Sequence, residues 1–147
     1  MPSSPEADPA VAIPPTVSAP FDVELGLEFT ELTADGARAQ LEVKPKHLQP
    51  MGLVHGGVYC SMVESMASMA AAFTWLSTRG GGGVVGVNNN TDFLRAISSG
   101  TVYGTAEPLH RGRRQQLWLV VITDDADHVI ARGQVRLQNL EAPPIDG

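Results

Sequence analysis

Residues 52–76, GLVHGGVYCSMVESMASMAAAFTWL, are apolar or small almost throughout and hold a single formal charge, Glu64. Val58, Met62, Met66, Met69, Phe73 and Leu76 recur at helical spacing, which predicts a helix whose apolar stripe lies on a sheet. His55-Gly56-Gly57 marks its start and Thr78-Arg79-Gly80 its end, glycine being common just past a helix C-terminus. Glu64 stands two residues from Met62, about 200° around the helix, and so faces away from the stripe. Its face, shared with Gly57, Ser61, Ser65, Ser68, Ala71 and Ala72, is too poor in long polar side chains to be a solvated one. Small residues there predict close packing, with a second copy of the same helix as the expected neighbour. A carboxylate at such a seam is costly unless it is hydrogen-bonded or chemically employed, and Ser68, one turn on, is a candidate donor.

The remainder of the chain supplies the sheet. At 147 residues and 43% hydrophobic it is long enough for one domain with a real core. Residues 1–20 hold six of the eleven prolines and no apolar period, so they predict a disordered tail. The domain is expected over 21–141, with 142–147 a flexible C-terminus. Two alternating stretches around Asp35-Gly36 predict a hairpin before the helix. After the helix and a run of four glycines come four strand-like segments, 84–95, 101–109, 115–124 and 129–140, with short polar connections. Their simplest arrangement is an antiparallel meander, and the class is α+β.

The net charge of −6 argues against a bulk nucleic-acid partner. Cys60, the single cysteine, has no disulfide partner and reads as a reduced intracellular thiol. No apolar segment long enough to span a membrane and no Sec-type leader is evident, so a cytoplasmic location is expected. The four histidines and Cys60 show no metal-ligand spacing, and no cofactor is called for.

Gly56 and Gly57 bring chemistry to the helix start. The first N–H groups of a helix lack intrahelical partners and lie at the positive end of its dipole, so they can bind an oxyanion; glycine leaves them unobstructed. The same glycines would equally serve a sharp turn or close packing.

The segments HLQPMGLVHGGVYCSMVES and NTDFLRAISSGTVYGTAEPLHRGRRQQLW, with a Glu eight residues beyond the first Gly of H-G-G, resemble the hotdog-fold acyl-CoA thioesterases of the phenylacetate-degradation (PaaI) and Arthrobacter-type 4-hydroxybenzoyl-CoA branch. The likeness spans about residues 21–140. It implies a long helix wrapped by a curved antiparallel sheet, in homodimers or tetramers with shared active sites. It further implies that Glu64 is the catalytic nucleophile or general base and that Gly56 donates its N–H to the thioester oxygen. Gln49 and His55 would place the carbonyl or the water, and Ser68 would assist hydrolysis. In that family the loops matching Arg95 and HRGRR, which contains Arg111, Arg113 and Arg114, hold the nucleotide of coenzyme A, here part of the substrate. Arginine forks suit phosphates, although an arginine-rich turn also serves solubility. Tyr59, Phe73 and Trp75 are candidates for an acyl pocket, though stripe residues more often form core. A hotdog hydroxyacyl dehydratase and a non-catalytic acyl-CoA sensor are the alternatives. The first expects a His-Phe-Pro-Gly style motif, where this chain has Val54-His55-Gly56-Gly57; the second expects an attached effector domain.

Overall fold

The computed structural model describes residues 19–79 and 81–142. A short helix α1 (Pro20–Leu25) leads into the hairpin β1 (Glu28–Thr33) and β2 (Gly36–Glu42). A single 3-10 turn (Pro45–His47) and a tight loop then bring the chain to the long helix α2 (Gly56–Arg79), after which β3 (Gly83–Phe93), β4 (Thr101–Arg111), β5 (Gln115–Thr123) and β6 (Val129–Leu140) complete the molecule. All strands join one antiparallel sheet in the order β1-β2-β4-β5-β6-β3. This is the hotdog architecture, one long helix laid across a six-stranded sheet.

Three expectations are corrected. The last four strands are not a simple meander: β4, β5 and β6 are, but β3 pairs with β6 and forms the far edge. The 94–100 connection therefore crosses the end of the sheet, tied down by Val54 N–H to Ile97 O at 2.9 Å and Val43 N–H to Gly100 O at 2.8 Å. The buried rows of α2 also differ from the expected stripe. Val58, Met62, Met66 and Ala70 form one row and Tyr59, Val63, Ala67, Ala71 and Trp75 the next, whereas Leu76 is 49% exposed and Met69 and Phe73 are half-buried. Rows at i, i+4 slant across the helix axis, and the contact with a twisted sheet follows that slant. Finally, Pro20 belongs not to a tail but to the first turn of α1, where its fixed φ suits a helix start; residues 1–18 and 143–147 lie outside the described residues.

The sheet floor beneath α2 is made of small residues. Ala37, Ala39, Gly104, Ala106, Ala131 and Gly133 face the helix, so the methionines and Val63 descend close to the backbone. Larger side chains fill the rest of the core, with Leu32, Leu41, Val102, Trp118, Ile122 and Leu137 fully buried. A buried His47 joins the segments before the helix: its Nδ1 accepts Lys44 N–H at 2.9 Å and its Nε2–H donates to Leu25 O at 2.6 Å. Its carbonyl takes His55 N–H at 2.8 Å.

At Gly133 a Cβ would lie 2.8 Å from Val63 Cγ1 and 2.5 Å from Thr91 Oγ1. Both neighbours are β-branched and stiff at χ1, so neither turns aside easily. Gly133→Ala is expected to cost ~1–3 kcal/mol of unfolding free energy by overpacking, read from the urea midpoint at unchanged slope. An undiminished midpoint would show that the floor has room to spare.

Candidate active site

Glu64 sits half-buried on the side of α2 that meets β3. Its Oε2 accepts a hydrogen bond from Asn89 Nδ2 at 3.1 Å, and the same amide nitrogen donates to Cys60 O at 3.1 Å. Thr91 Oγ1 donates to Asn89 Oδ1 at 2.7 Å. The other carboxylate oxygen, Oε1, lies over Gly86, where any Cβ would overlap it. The expected donor Ser68 does not fill this role: among the described residues the side-chain partner of Glu64 is Asn89, because β3 rises beside the helix and reaches the carboxylate first. Ser68 stays half-buried one turn away.

The helix start forms a second cluster. The Leu48↔Val54 bridge closes a tight loop in which Gln49 N–H binds Leu53 O at 2.8 Å and Gly52 N–H binds Gln49 O at 2.9 Å. Gln49 Oε1 accepts Met51 N–H, leaving its Nε2 as the donor of that amide. His55 caps the helix: Nδ1 accepts Gly57 N–H at 2.7 Å, and its carbonyl accepts Val58 N–H at 3.0 Å. With Nδ1 accepting, the neutral ring carries its proton on Nε2. No acceptor among the described residues takes the Gly56 N–H. Gln49, His55 and Gly56 are thus grouped at the positive end of the helix dipole.

The two clusters are separate within one chain. Gly56 and Glu64 are eight residues apart on one helix, ~12 Å at ~1.5 Å rise per residue. The acyl-pocket candidates are also dispersed: Tyr59 lies near the helix start and Trp75 near its end, ~24 Å apart on the same reckoning. Trp75 donates its indole N–H to Leu140 O at 3.0 Å, and Phe73 is half-buried between them in sequence.

The arginines divide in the same way. Arg95 follows β3 at the helix-start end, while Arg111, the last residue of β4, and Arg113 and Arg114, in the β4–β5 turn, lie at the opposite end, about the length of β3 away, roughly 35 Å. Arg111 is engaged, its Nη1 donating to Asp35 Oδ1 at 2.8 Å and Ala34 O at 3.1 Å. Arg113 and Arg114 are exposed and have no ion pair among the described residues. Their turn is anchored from below by Asn139, whose Nδ2 donates to Gly112 O at 3.0 Å and Arg113 O at 3.1 Å and whose N–H donates to Arg114 O at 2.8 Å. Asn139 Oδ1 accepts Gln116 Nε2 at 2.9 Å, and Gln116 Oε1 accepts Trp118 Nε1 at 2.9 Å. Beside the turn a cavity of about 480 Å³ is lined by Ala34, Asp35, Thr74, Trp75, Arg111 and Arg113, among others. Among the described residues no group of three His, Cys, Asp or Glu side chains could hold a metal ion, and no helix is long and apolar enough to cross a membrane.

Known proteins resemble this chain in sequence and fold. Residues 51–131 match the family model described as the thioesterase superfamily. The Mycobacterium tuberculosis protein Rv1847, whose name carries the word esterase, is 72% identical over 140 residues, 95% of this chain and 99% of that one. Its solved structure superposes with a TM-score of 0.82 at 76% identity over 86% of this chain and 100% of that chain. The proofreading thioesterase EntH of Cronobacter turicensis is 42% identical over 101 residues, 69% of this chain and 72% of that protein. The thioesterase HI1161 of Haemophilus influenzae superposes with a TM-score of 0.80 at 26% identity over 90% of each chain.

Tyr59 reads differently in the structure than in the sequence. It is buried, its ring centroid 6.0 Å from that of Phe93, and its hydroxyl is buried with no hydrogen-bond partner among the described residues. Burial pushes the phenol up to about 12 from 10.0. Because folding favours the protonated form, the stability tied to this group is present below pH 10.0 and is lost as pH rises towards about 12. Tyr59→Phe removes an unsatisfied polar group and is expected to raise unfolding stability by ~1 kcal/mol near pH 8. The advantage should widen at about pH 10.5. Tyr103, also raised through its hydroxyl's bond to Asp125, is common to both proteins and cancels in the comparison. Urea unfolding at the two pH values checks this; a destabilised variant would mean that the hydroxyl has a partner in solution.

Proposed function

This chain belongs to the thioesterase superfamily, its fold is the hotdog fold and its family chemistry is thioester hydrolysis; from that premise we propose that it hydrolyses acyl-CoA thioesters, in the manner of the PaaI and 4-hydroxybenzoyl-CoA branch, at sites shared between two subunits. The observation that carries the reading is the half-buried Glu64 carboxylate facing β3, ~12 Å from the Gly56 N–H of its own chain, which has no acceptor among the described residues. A thioester needs its oxygen within ~3 Å of an oxyanion donor and its carbon similarly near the attacking group. Glu64 of one subunit and the partner's Gly56 meet that need; the two groups of a single chain do not.

The sheet edges favour the same assembly. At the β1 edge, Glu28 and Glu31 are exposed and the register shifts between Phe29 and Glu31, features that discourage pairing. The β3 edge is eleven residues long and presents Val85 and Val87, 45% and 49% exposed. Two copies joined edge to edge along β3 would set their α2 helices side by side and antiparallel. The partner's Arg95 would then approach the C-terminal half of this chain's α2, where Arg113 and Arg114 stand. Arg95, Arg113 and Arg114 have no ion pair among the described residues, and their guanidinium groups suit the phosphates of coenzyme A.

In this arrangement the partner's Gly56 N–H receives the carbonyl oxygen as it becomes anionic, with His55 Nε2–H and Gln49 Nε2 available to place the carbonyl or the water. Acting as base, Glu64 takes a proton from water, whose oxygen adds to the carbonyl carbon; the C–S bond then breaks and the thiolate leaves with that proton. Acting as nucleophile, its oxygen displaces the thiolate to form a mixed anhydride that water opens. Ser68, one turn from Glu64, is placed to assist the hydrolytic step.

Glu64→Gln is expected to fold and to lose at least ~10²-fold in kcat on acyl-CoA; a loss below tenfold would remove Glu64 from the mechanism. Arg113→Ala with Arg114→Ala should raise KM for acyl-CoA, most strongly at low salt, and leave an acyl-pantetheine thioester unaffected. Sharing of the site is tested by complementation. Gly56→Pro removes the oxyanion donor, but its Cβ would meet the Phe93 ring, so it is combined with Phe93→Ala. Refolded together at equal amounts, this variant and Glu64→Ala, each inactive alone, should recover roughly a quarter of wild-type activity, since half the dimers are mixed and each carries one intact site. A mixture as dead as its parents, with mixed dimers verified, would refute the shared site.

A further inference from the structure

The geometry points to Asn89 as the residue that positions Glu64, held in turn by Thr91 and made possible by a bulge at Val87; this rests on the reading of Glu64 as the reacting carboxylate. Along β3 the side-chain alternation is interrupted. Gly86 pairs with Leu137 but Asn88 pairs with Arg136, so Val87 is an extra residue. Before the bulge, Val84 and Gly86 stand opposite Asn139 and Leu137, whose side chains face α2. After it, Asn89, Thr91 and Phe93 stand opposite Val135, Gly133 and Ala131, which face α2 as well. In a regular strand, residues 86 and 89 would point to opposite faces. The bulge gives them the same face, a known use of bulges beside functional groups.

Both then address one carboxylate. Gly86 leaves space for Oε1, and Asn89 donates to Oε2. The amide has one workable orientation. Its two N–H bonds go to Glu64 Oε2 and Cys60 O, and its oxygen accepts the Thr91 hydroxyl. A flipped amide would set its oxygen against two acceptors. Thr91 is itself confined, its Oγ1 lying above the Gly133 backbone. A free glutamate samples many rotamers, and fixing one in advance removes that ordering from the reaction step. With Oε2 occupied by Asn89, Oε1 is the oxygen left to take the proton or form the bond.

The test compares kcat and KM on one acyl-CoA, with urea unfolding, for Asn89→Leu, Thr91→Val, Thr91→Ser and Glu64→Ala. Asn89→Leu should lower kcat by ~10–100-fold with KM within about twofold, the scale on which loss of an orienting partner acts. Thr91→Val, isosteric and a good strand former, should lower kcat several-fold, whereas Thr91→Ser, which keeps the hydroxyl, should stay within about twofold of wild type. A purely structural role would move stability or KM and would not separate Val from Ser by kcat. The proposal is overturned if Glu64→Ala is inactive while Asn89→Leu keeps wild-type kcat, or if Thr91→Val and Thr91→Ser behave alike; the Glu64 reading survives either result. An active Glu64→Ala would overturn both. Should Asn89→Leu fail to fold, the Thr91 pair decides alone.

Discussion

The distance between α2 and the sheet governs the rest of the molecule. Glycine and alanine at 37, 39, 104, 106, 131 and 133 thin the sheet's inner face, so the helix sinks between curved walls instead of riding on top of large side chains. Only because it lies that deep does the edge strand β3 rise alongside it and bring Asn89 within 3.1 Å of Glu64. Packing of this kind is intolerant of added volume. A floor one methyl group thicker would lift the helix and part the carboxylate from the strand that holds it.

Much of this was legible in the sequence, for identifiable reasons. The limits of α2 follow from glycines at its start and just past its end, and β6 has the bounds 129–140 expected from alternation alone. The carboxylate was conspicuous because nothing long and polar shares its face. What escaped depended on non-local geometry or on small residues. The alanines at 67, 70 and 71 are fully buried yet carry little weight in a hydrophobic pattern, so the true contact rows were missed. The pairing of β3 with β6, across a connection that bypasses two strands, leaves no mark in local composition. Asn89 was invisible because 88, 89 and 90 are all asparagine, and a reading by twos cannot tell which of three identical polar residues turns inward past a bulge.

On the proposed shared-site reading, each protomer would carry one half of the reacting geometry at the start of α2 and the other half two turns along it. Such a division would place the chemistry under the control of assembly, each half depending on a partner at the β3 edge. The same reading would account for the contrast between that edge's exposed valines and the exposed Glu28 and Glu31 of β1. Exposed Val85 and Val87 on a long, uncharged stretch are a hazard in a monomer and an asset in an interface.

The Trp118–Gln116–Asn139 network has a consequence for recognition. Three hydrogen bonds from one buried side-chain and backbone pair at Asn139 fix the carbonyls of Gly112, Arg113 and Arg114 before any ligand arrives. The conformational entropy of that turn is therefore lost when the protein folds, not when an anion binds, and only the guanidinium side chains remain to be ordered. On the proposed reading, a phosphate-bearing carrier would meet a backbone already ordered, with only the exposed side chains of Arg113 and Arg114 left to arrange.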